Sequence, residues 1–372
     1  MKNNVKIIFH IDLNAFFASV EMIRDPFLKN KVFAVGGGRT YFRSGVLTTA
    51  SYKARKYGIR SAMTISEAQT RYPKLLVVPN HFDEYKKHSK KFIDFLHTYT
   101  DQVQQVSIDE AYMDVTSLQD KMHPIELAKE IQSRLNDEYF LPCSIGIAPT
   151  LFLAKMASDM KKPMGITILR KRDIKKKLYP LSVKEIHGVG AKTYPRLMDN
   201  GIHTIKDFLE PKNKDVIINE IGENTYVNLY ESLKGNSSDF VDPDKYKVPM
   251  SISNETTLPY DMDHYESLID LMNGLFDEGY ERLIKEKLLC KTVFIKIRYS
   301  NRITPTRSIS FNDYTKDESL LRENMLYLFE RAYNQKAVRL LGVGFGSIIE
   351  ASEYKIDRTI FNYQEVDEKK EV

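Results

Sequence analysis

The stretch SIDEAYMDV, residues 107–115, sets two acids side by side inside a run that otherwise reads as strand. Val103, Val106, Ile108, Tyr112, Met113 and Val115 are β-branched, aromatic or apolar, types that suit a pleated, half-buried surface. Asp109 and Glu110 fall in the middle, where a carboxylate is costly unless paired or bound to a cation. Neighbouring side chains on a flat strand point to opposite faces. The two acids can therefore serve one site only if the chain turns: a strand over 103–107, a tight bend, and a second strand over 111–115. Three readings fit such a pair. It is a solvated turn, a salt-bridged structural pair, or a site for a hard cation such as magnesium, which takes oxygen ligands.

A third acid favours the last of these. VKIIFHIDL, residues 5–13, reads as a buried strand that ends beside Asp12. Two buried strands, each delivering acid near its end, have the carboxylate layout of two-metal phosphoryl transfer. There, two ions about 3.5–4 Å apart stabilise the attacking and leaving oxygens. His10, inside the same apolar strand, reads as a core histidine.

The rest of the chain sets the frame. At 372 residues, two or more domains are expected, and 42% hydrophobic content supplies real cores. No run of eighteen apolar residues exists, so no membrane span is expected. The N-terminal MKNNVKIIFHIDLNAFF lacks a small-residue cleavage site, which argues against a signal peptide. Cys143 and Cys290 are the only cysteines, read as reduced thiols in a cytoplasmic protein. The net charge of +5 permits a nucleic-acid partner without requiring one.

Helical spacing follows the first strand in NAFFASVEMI, with Asn14 as N-cap. KVFAVGGG reads as a strand, GVLTTASYKARKYGI as strand then helix, SAMTISEAQTRYP as a short helix stopped by Pro73, and LLVVP as a strand. An amphipathic helix carries Phe82, Tyr85, Phe92, Leu96 and Tyr99. Beyond the acidic strand come a helix PIELAKEIQSRLNDEY, a strand CSIGIA and a helix LFLAKMASDMKK. Residues 170–234 look helical, and 235–249 are polar and turn-rich. KTVFIKIRYS alternates strictly, with Val293, Ile295, Ile297 and Tyr299 on one face. GGGR at residues 36–39 lacks a following GK[ST] and reads as a hairpin turn, not a phosphate loop.

DLNAFFASVE after Asp12, TASYKARKYGIRSAM and SIDEAYMDV together resemble the Y-family, translesion DNA polymerases of the bacterial polymerase IV type. GIAPTLFLAKMASDMKKP and GVGAKT extend the likeness over some nine-tenths of the chain. The resemblance implies an α+β multidomain fold. A palm with a split βαβ sheet would take residues 1–20 and 80–168, and small fingers 21–79. A helical thumb with a helix-hairpin-helix would take 169–236, a linker 237–249, an α+β little finger 250–350 and a tail 351–372. It implies that Asp12, Asp109 and Glu110, with the Leu13 carbonyl, hold two Mg2+ ions. Tyr52, Arg55, Lys162 and Thr49 would bind the triphosphate; Tyr52 and Arg55 lie i, i+3, one face of a helix. Phe17 would be the steric gate against a 2′-hydroxyl. Val46, Thr48 and Ala62 would line the templating-base pocket. Gly188, Gly190 and Lys192 of the helix-hairpin-helix, and Lys296 and Arg298 of the alternating strand, would contact DNA phosphates.

The implied activity is template-directed, error-prone synthesis past lesions by a monomer acting on primer-template DNA and deoxynucleoside triphosphates, without proofreading. Two departures stand out. Met250 and Asn254 in MSISNETTL replace cations usual at the start of the last domain. The tail segment IFNYQEV carries Ile360, Phe361 and Gln364 in an unusual order for a sliding-clamp peptide. The rival readings are a nucleotidyl cyclase on a palm-like sheet and a DNA-binding scaffold with a dead site.

Overall fold

The structure, a computed structural model, describes residues 5–37 and 45–354. It divides into two compact units, residues 1–246 and 247–372.

In the first unit, β1 (Ile8–Leu13) leads into α1 (Phe16–Arg24), then β2 (Phe33–Gly36), β3 (Leu47–Ala50), α2 (Tyr52–Arg55), α3 (Ile65–Arg71) and β4 (Leu76–Val78). There follow α4 (Phe82–His97), β5 (Val103–Gln105), β6 (Glu110–Asp114), α5 (Pro124–Asp137), β7 (Cys143–Ala148), α6 (Leu151–Asp159) and β8 (Ile166–Ile168). Five short helices close the unit: α7 (Ile174–Lys177), α8 (Tyr194–Asp199), α9 (Ile205–Leu209), α10 (Lys214–Ile221) and α11 (Glu223–Leu233).

Five strands form a sheet in the order β5-β6-β1-β7-β8. Its pairs are antiparallel except β7 with β8. The chain does bend between β5 and β6, with Val103 opposite Met113 and Gln105 opposite Ala111. The amides of Val106 and Ser107 both donate to the Glu110 carbonyl, which closes the turn. A small sheet, β3-β2-β4, packs its own core around Ala34, Leu47, Ile59 and Ile65. Gly36 closes β2, and the rest of the glycine turn extends beyond the described residues.

The second unit runs β9 (Ser251–Met262), α12 (Tyr265–Lys285), β10 (Leu288–Tyr299), β11 (Thr306–Thr315), α13 (Glu318–Ala332) and β12 (Val338–Glu350). Its antiparallel sheet has the order β11-β10-β12-β9, and both helices cover one face. Val293, Ile295, Ile297 and Tyr299 are buried there, as their alternation demands.

One local expectation fails. Asn14 does not cap α1: Ala15 stands at the cap in a left-handed conformation, and no side chain caps the helix. Both cysteines are buried and unpaired. Among the described residues no helix is long and apolar enough to cross a membrane. Ile360, Phe361 and Gln364 lie outside the described residues.

Candidate active site

Strand geometry brings the acids together. Phe9, Ile11 and Leu13 point into the core that α4 and α5 share, while Ile8 belongs to the core with α6. The two-residue period of a strand therefore puts His10 and Asp12 on the α6 side. Antiparallel register sets Asp12 opposite Glu110 and His10 opposite Tyr112, so all four side chains share that face. Asp109 sits in the bend just before β6. The Leu13 amide donates to the Asp109 carbonyl at 2.9 Å, which fastens the bend to the end of β1. The Ser107 hydroxyl donates to Asp109 Oδ1 at 2.6 Å and receives the Asp109 amide at 3.3 Å.

Two lysines from α6 and the loop after it answer this negative charge. Lys155 Nζ lies 2.6 Å from Glu110 Oε2 and 3.1 Å from Asp12 Oδ2. Lys162 Nζ lies 2.6 Å from Asp12 Oδ2 and 2.8 Å from Asp159 Oδ1. Burial alone would favour the neutral amine of Lys155, but Asp12, Asp159 and Glu110 outweigh it and hold its pKa above the usual lysine value. Burial likewise opposes ionisation of Glu110; the close approach of His10 Nε2 and the Lys155 ammonium prevails and brings its pKa down to about 2. His10 is fully buried, with Nδ1 2.8 Å from Ser158 Oγ and Nε2 2.9 Å from Glu110 Oε2. That second contact is close but poorly aligned for a straight hydrogen bond. Burial pushes the imidazole pKa down.

Asp109 differs from its neighbours. Among the described residues no cation pairs with it. Burial pushes its carboxyl up, opposed by the Ser107 hydroxyl and reinforced by the Asp12 and Glu110 charges. A half-buried acid without a counter-cation among the described residues, beside two acids held by ammonium groups, is a place where a hard divalent cation fits. The donors suit it: the Asp12 and Glu110 oxygens and the His10 nitrogen lie within 4.8 Å of one another, and carboxylate oxygen is what magnesium takes.

Beside the acids opens a cavity of about 260 Å³ lined by Asp12, Leu13, Phe17, Thr48, Thr49, Tyr52, Arg55, Asp109 and Lys162, together with Ala15, Phe16 and Ser61. Tyr52 and Arg55 belong to α2, a single turn whose start Ser51 caps by accepting the Ala54 amide. The Arg55 guanidinium lies 4.8 Å from the Tyr52 ring centroid and donates through Nε to the Ala50 carbonyl at 3.0 Å. That fixes the arginine and leaves guanidinium donors for an anion. Phe16 is buried, whereas Phe17 is half-buried and stacks on Tyr85 with centroids 4.2 Å apart and planes at 15°. The Tyr85 hydroxyl in turn donates to the buried Glu21 carboxylate. Thr48 donates to Asn80 Oδ1 at 2.8 Å.

Other residues singled out from the sequence lie elsewhere. Val46 is exposed and bridges Thr64. Ala62 is left-handed, φ +65°, and its amide donates to Leu47. Neither lines the cavity. Gly188, φ +96°, and Gly190 form the turn before α8, with Lys192 beside them; added Cβ atoms there would meet almost nothing. In the second unit, Lys296 pairs with Glu255 at 2.7 Å, and Arg298 Nε donates to Thr304 at 3.2 Å. Sequence reasoning missed Lys155, Asp159, Asn80 and Ser61. Lys155 and Asp159 had a signal in i, i+4 spacing on α6, but only the sheet reveals that the lysine faces the acids.

Three carboxylates at the end of an antiparallel sheet, beside a pocket of arginine, lysine, hydroxyl and aromatic groups, form a site suited to a hard divalent cation and a phosphate-bearing ligand. Residues 11–159 match the impB/mucB/samB family model, and residues 249–358 match the model of that family's C-terminal domain. DNA polymerase IV 1 of Halalkalibacterium halodurans is 41% identical over 97% of this chain and 86% of the relative. DNA polymerase IV 1 of Bacillus subtilis is 40% identical over 98% of this chain and 87% of the relative. Among solved structures, a chimaera of the Y-family DNA polymerases Dbh and Dpo4 superposes with a TM-score of 0.82, at 26% identity, covering 92% of this chain and 99% of the other. An insertion ternary complex of Dbh DNA polymerase gives a TM-score of 0.67 at 27% identity, with the same coverage of both chains. The chain belongs to the impB/mucB/samB family, the Y-family translesion DNA polymerases.

Proposed function

We propose that this DNA-directed DNA polymerase extends a primer 3′-hydroxyl at Asp12, Asp109 and Glu110, past template lesions and without proofreading. The observation that carries the site assignment is the meeting of Asp12 with Glu110 in register beside an unpaired Asp109. These three carboxylates, with the Leu13 carbonyl, would hold two Mg2+ ions. Bound there, such cations lower the pKa of the attacking hydroxyl and neutralise the departing pyrophosphate.

The chain's own residues do the rest. Tyr52, Arg55, Thr49 and Lys162 receive the triphosphate, with Arg55 offering a fork of donors and Lys162 a point charge. Phe17 blocks the space a 2′-hydroxyl would need, and Thr48, Val46 and Ala62 leave room at the base pair. Gly188, Gly190 and Lys192 receive a duplex phosphate; Lys296 and Arg298 track the backbone without reading sequence.

The domain reading is palm at 1–20 and 80–168, fingers at 21–79, thumb at 169–236, linker at 237–249, little finger at 250–350 and tail at 351–372. We expect a cytoplasmic monomer; its tail segment IFNYQEV is the candidate contact for a sliding clamp, with Ile360, Phe361 and Gln364 in an unusual order for such a peptide. Primer extension with magnesium and four deoxynucleotides tests the assignment. Asp109→Ala abolishes extension and retains duplex binding. Loss of both together would make Asp109 a folding residue and remove it from the chemistry.

A further inference from the structure

Asn14 is a buried amide with its bonding capacity in use, at the end of the strand that carries Asp12. Its Nδ2 donates to Ser144 Oγ on β7 at 3.0 Å and approaches the Asp12 carbonyl at 3.4 Å. Its Oδ1 accepts the Met164 amide at 2.8 Å and lies 3.2 Å from the Ser144 hydroxyl. Three separate pieces of chain therefore meet on one side chain: the end of the central strand β1, its neighbour β7, and the loop between α6 and β8.

That loop carries Lys162, whose ammonium meets Asp12. Its backbone is demanding. Met164 is left-handed at φ +60°, and a Cβ on Gly165 would stand 1.9 Å from the Lys161 carbonyl. On the other side of Asn14, Ala15 is also left-handed, φ +47°. Non-glycine residues stay in that region only where surroundings over-determine them. Gly165 is tied down by the Ile145 amide at 2.8 Å, but Met164 receives its fixing contact from Asn14.

We propose that Asn14 is a positioning residue for the triphosphate end of the site: it pins the 160–165 loop to the strand end so that Lys162 faces the incoming nucleotide. This rests on the assignment of Lys162 to the triphosphate. Asn14 touches no substrate itself; its effect passes through the loop.

The test is a double-mutant cycle in single-nucleotide insertion kinetics with Asn14→Ala, Lys162→Ala and the pair. Asn14→Ala raises KM for the deoxynucleotide on the order of tenfold, the size of one lost buried hydrogen bond. In a Lys162→Ala background the same change costs no more than about twofold, because the group it positions is gone. Asn14→Asp, which keeps an acceptor for the Met164 amide, restores most of the KM. Full additivity in the cycle would overturn the proposal, since a merely structural asparagine acts equally with or without Lys162. An unchanged KM in Lys162→Ala alone would instead remove the triphosphate assignment. If Asn14→Ala does not fold, the cycle is run with Ser144→Ala, which loosens the asparagine while leaving it in place. Additivity there would count equally against the proposal.

Discussion

At the scale of single residues, Asp109 and Glu110 are adjacent in sequence and opposite in electrostatic behaviour. Glu110 is surrounded by donors that favour its charged form, and its pKa drops to about 2. For Asp109 burial prevails over its one side-chain donor, the Ser107 hydroxyl, and raises its pKa. A carboxyl whose folded pKa lies below its unfolded value contributes stability that is present above the unfolded pKa. That contribution is lost as pH falls through the folded one. In chelator-treated protein, Glu110 should therefore make stability fall between about pH 4.5 and about pH 2, the interval between its ordinary and folded values. Glu110→Gln should flatten that part of the profile. Urea midpoints across this range check it, and parallel profiles for the two proteins would show that Lys155 and His10 do not hold the carboxylate as drawn. Phe17 offers a second test at the same scale. Its ring is set by stacking on Tyr85, at 4.2 Å between centroids. Phe17→Ala should admit ribonucleotides with a large gain relative to deoxynucleotides, measured by single-nucleotide insertion of each. Unchanged sugar selectivity would take the gate away from Phe17.

At the scale of elements, the position of α6 decides whether the acids have their lysines. Gly146 on β7 pairs with His10, and a Cβ there would come within 2.0 Å of the Ala154 carbonyl and 2.4 Å of the Ser158 amide. The helix lies on this strand because nothing projects between them. Gly146→Ala should force strand and helix apart and cost on the order of 1–3 kcal/mol, the range for overpacking. It should also disturb the Ser158 contact to His10. A urea midpoint equal to that of the parent would mean that α6 is not clamped at Gly146. The elements themselves were largely legible: the alternation around Val293–Tyr299, the bend at Asp109 and the helix after CSIGIA all follow from periodicity and turn demands. Asn14 was misread because an N-cap and a buried cross-chain bridge use the same residue type, and only tertiary contacts distinguish them. Lys155 was not legible as a partner of the acids, since its helix spacing says which face it shares and not what that face meets. β9 escaped as a strand for another reason. It is a sheet-edge strand with mostly exposed side chains, so alternation had little to register.

At the scale of the whole molecule, affinity for DNA is set by how many phosphates meet free cations, since each neutralised phosphate releases counterions. The second unit is sparing in this respect. Lys296 shares its charge with Glu255, two strands away in the same sheet, so any phosphate it meets competes with that carboxylate. Met250, 88% exposed, and Asn254, on edge strand β9, bring no charge to positions where the family resemblance leads one to expect cations. Two missing contacts predict a slope of log K against log salt shallower by roughly 2, taking about 0.9 for each phosphate on duplex DNA. Installing both cations, Met250→Lys with Asn254→Lys, should steepen the slope by that amount and strengthen primer-template binding most at low salt. Fluorescence anisotropy across a salt series, with a duplex of fixed length, measures it. The substitutions lie far in sequence from Asp12, Asp109 and Glu110, so turnover at saturating DNA should stay the same while the binding constant moves. A slope indifferent to the two lysines would mean that this strand does not approach phosphate, and the weak-grip account of the second unit would have to be given up.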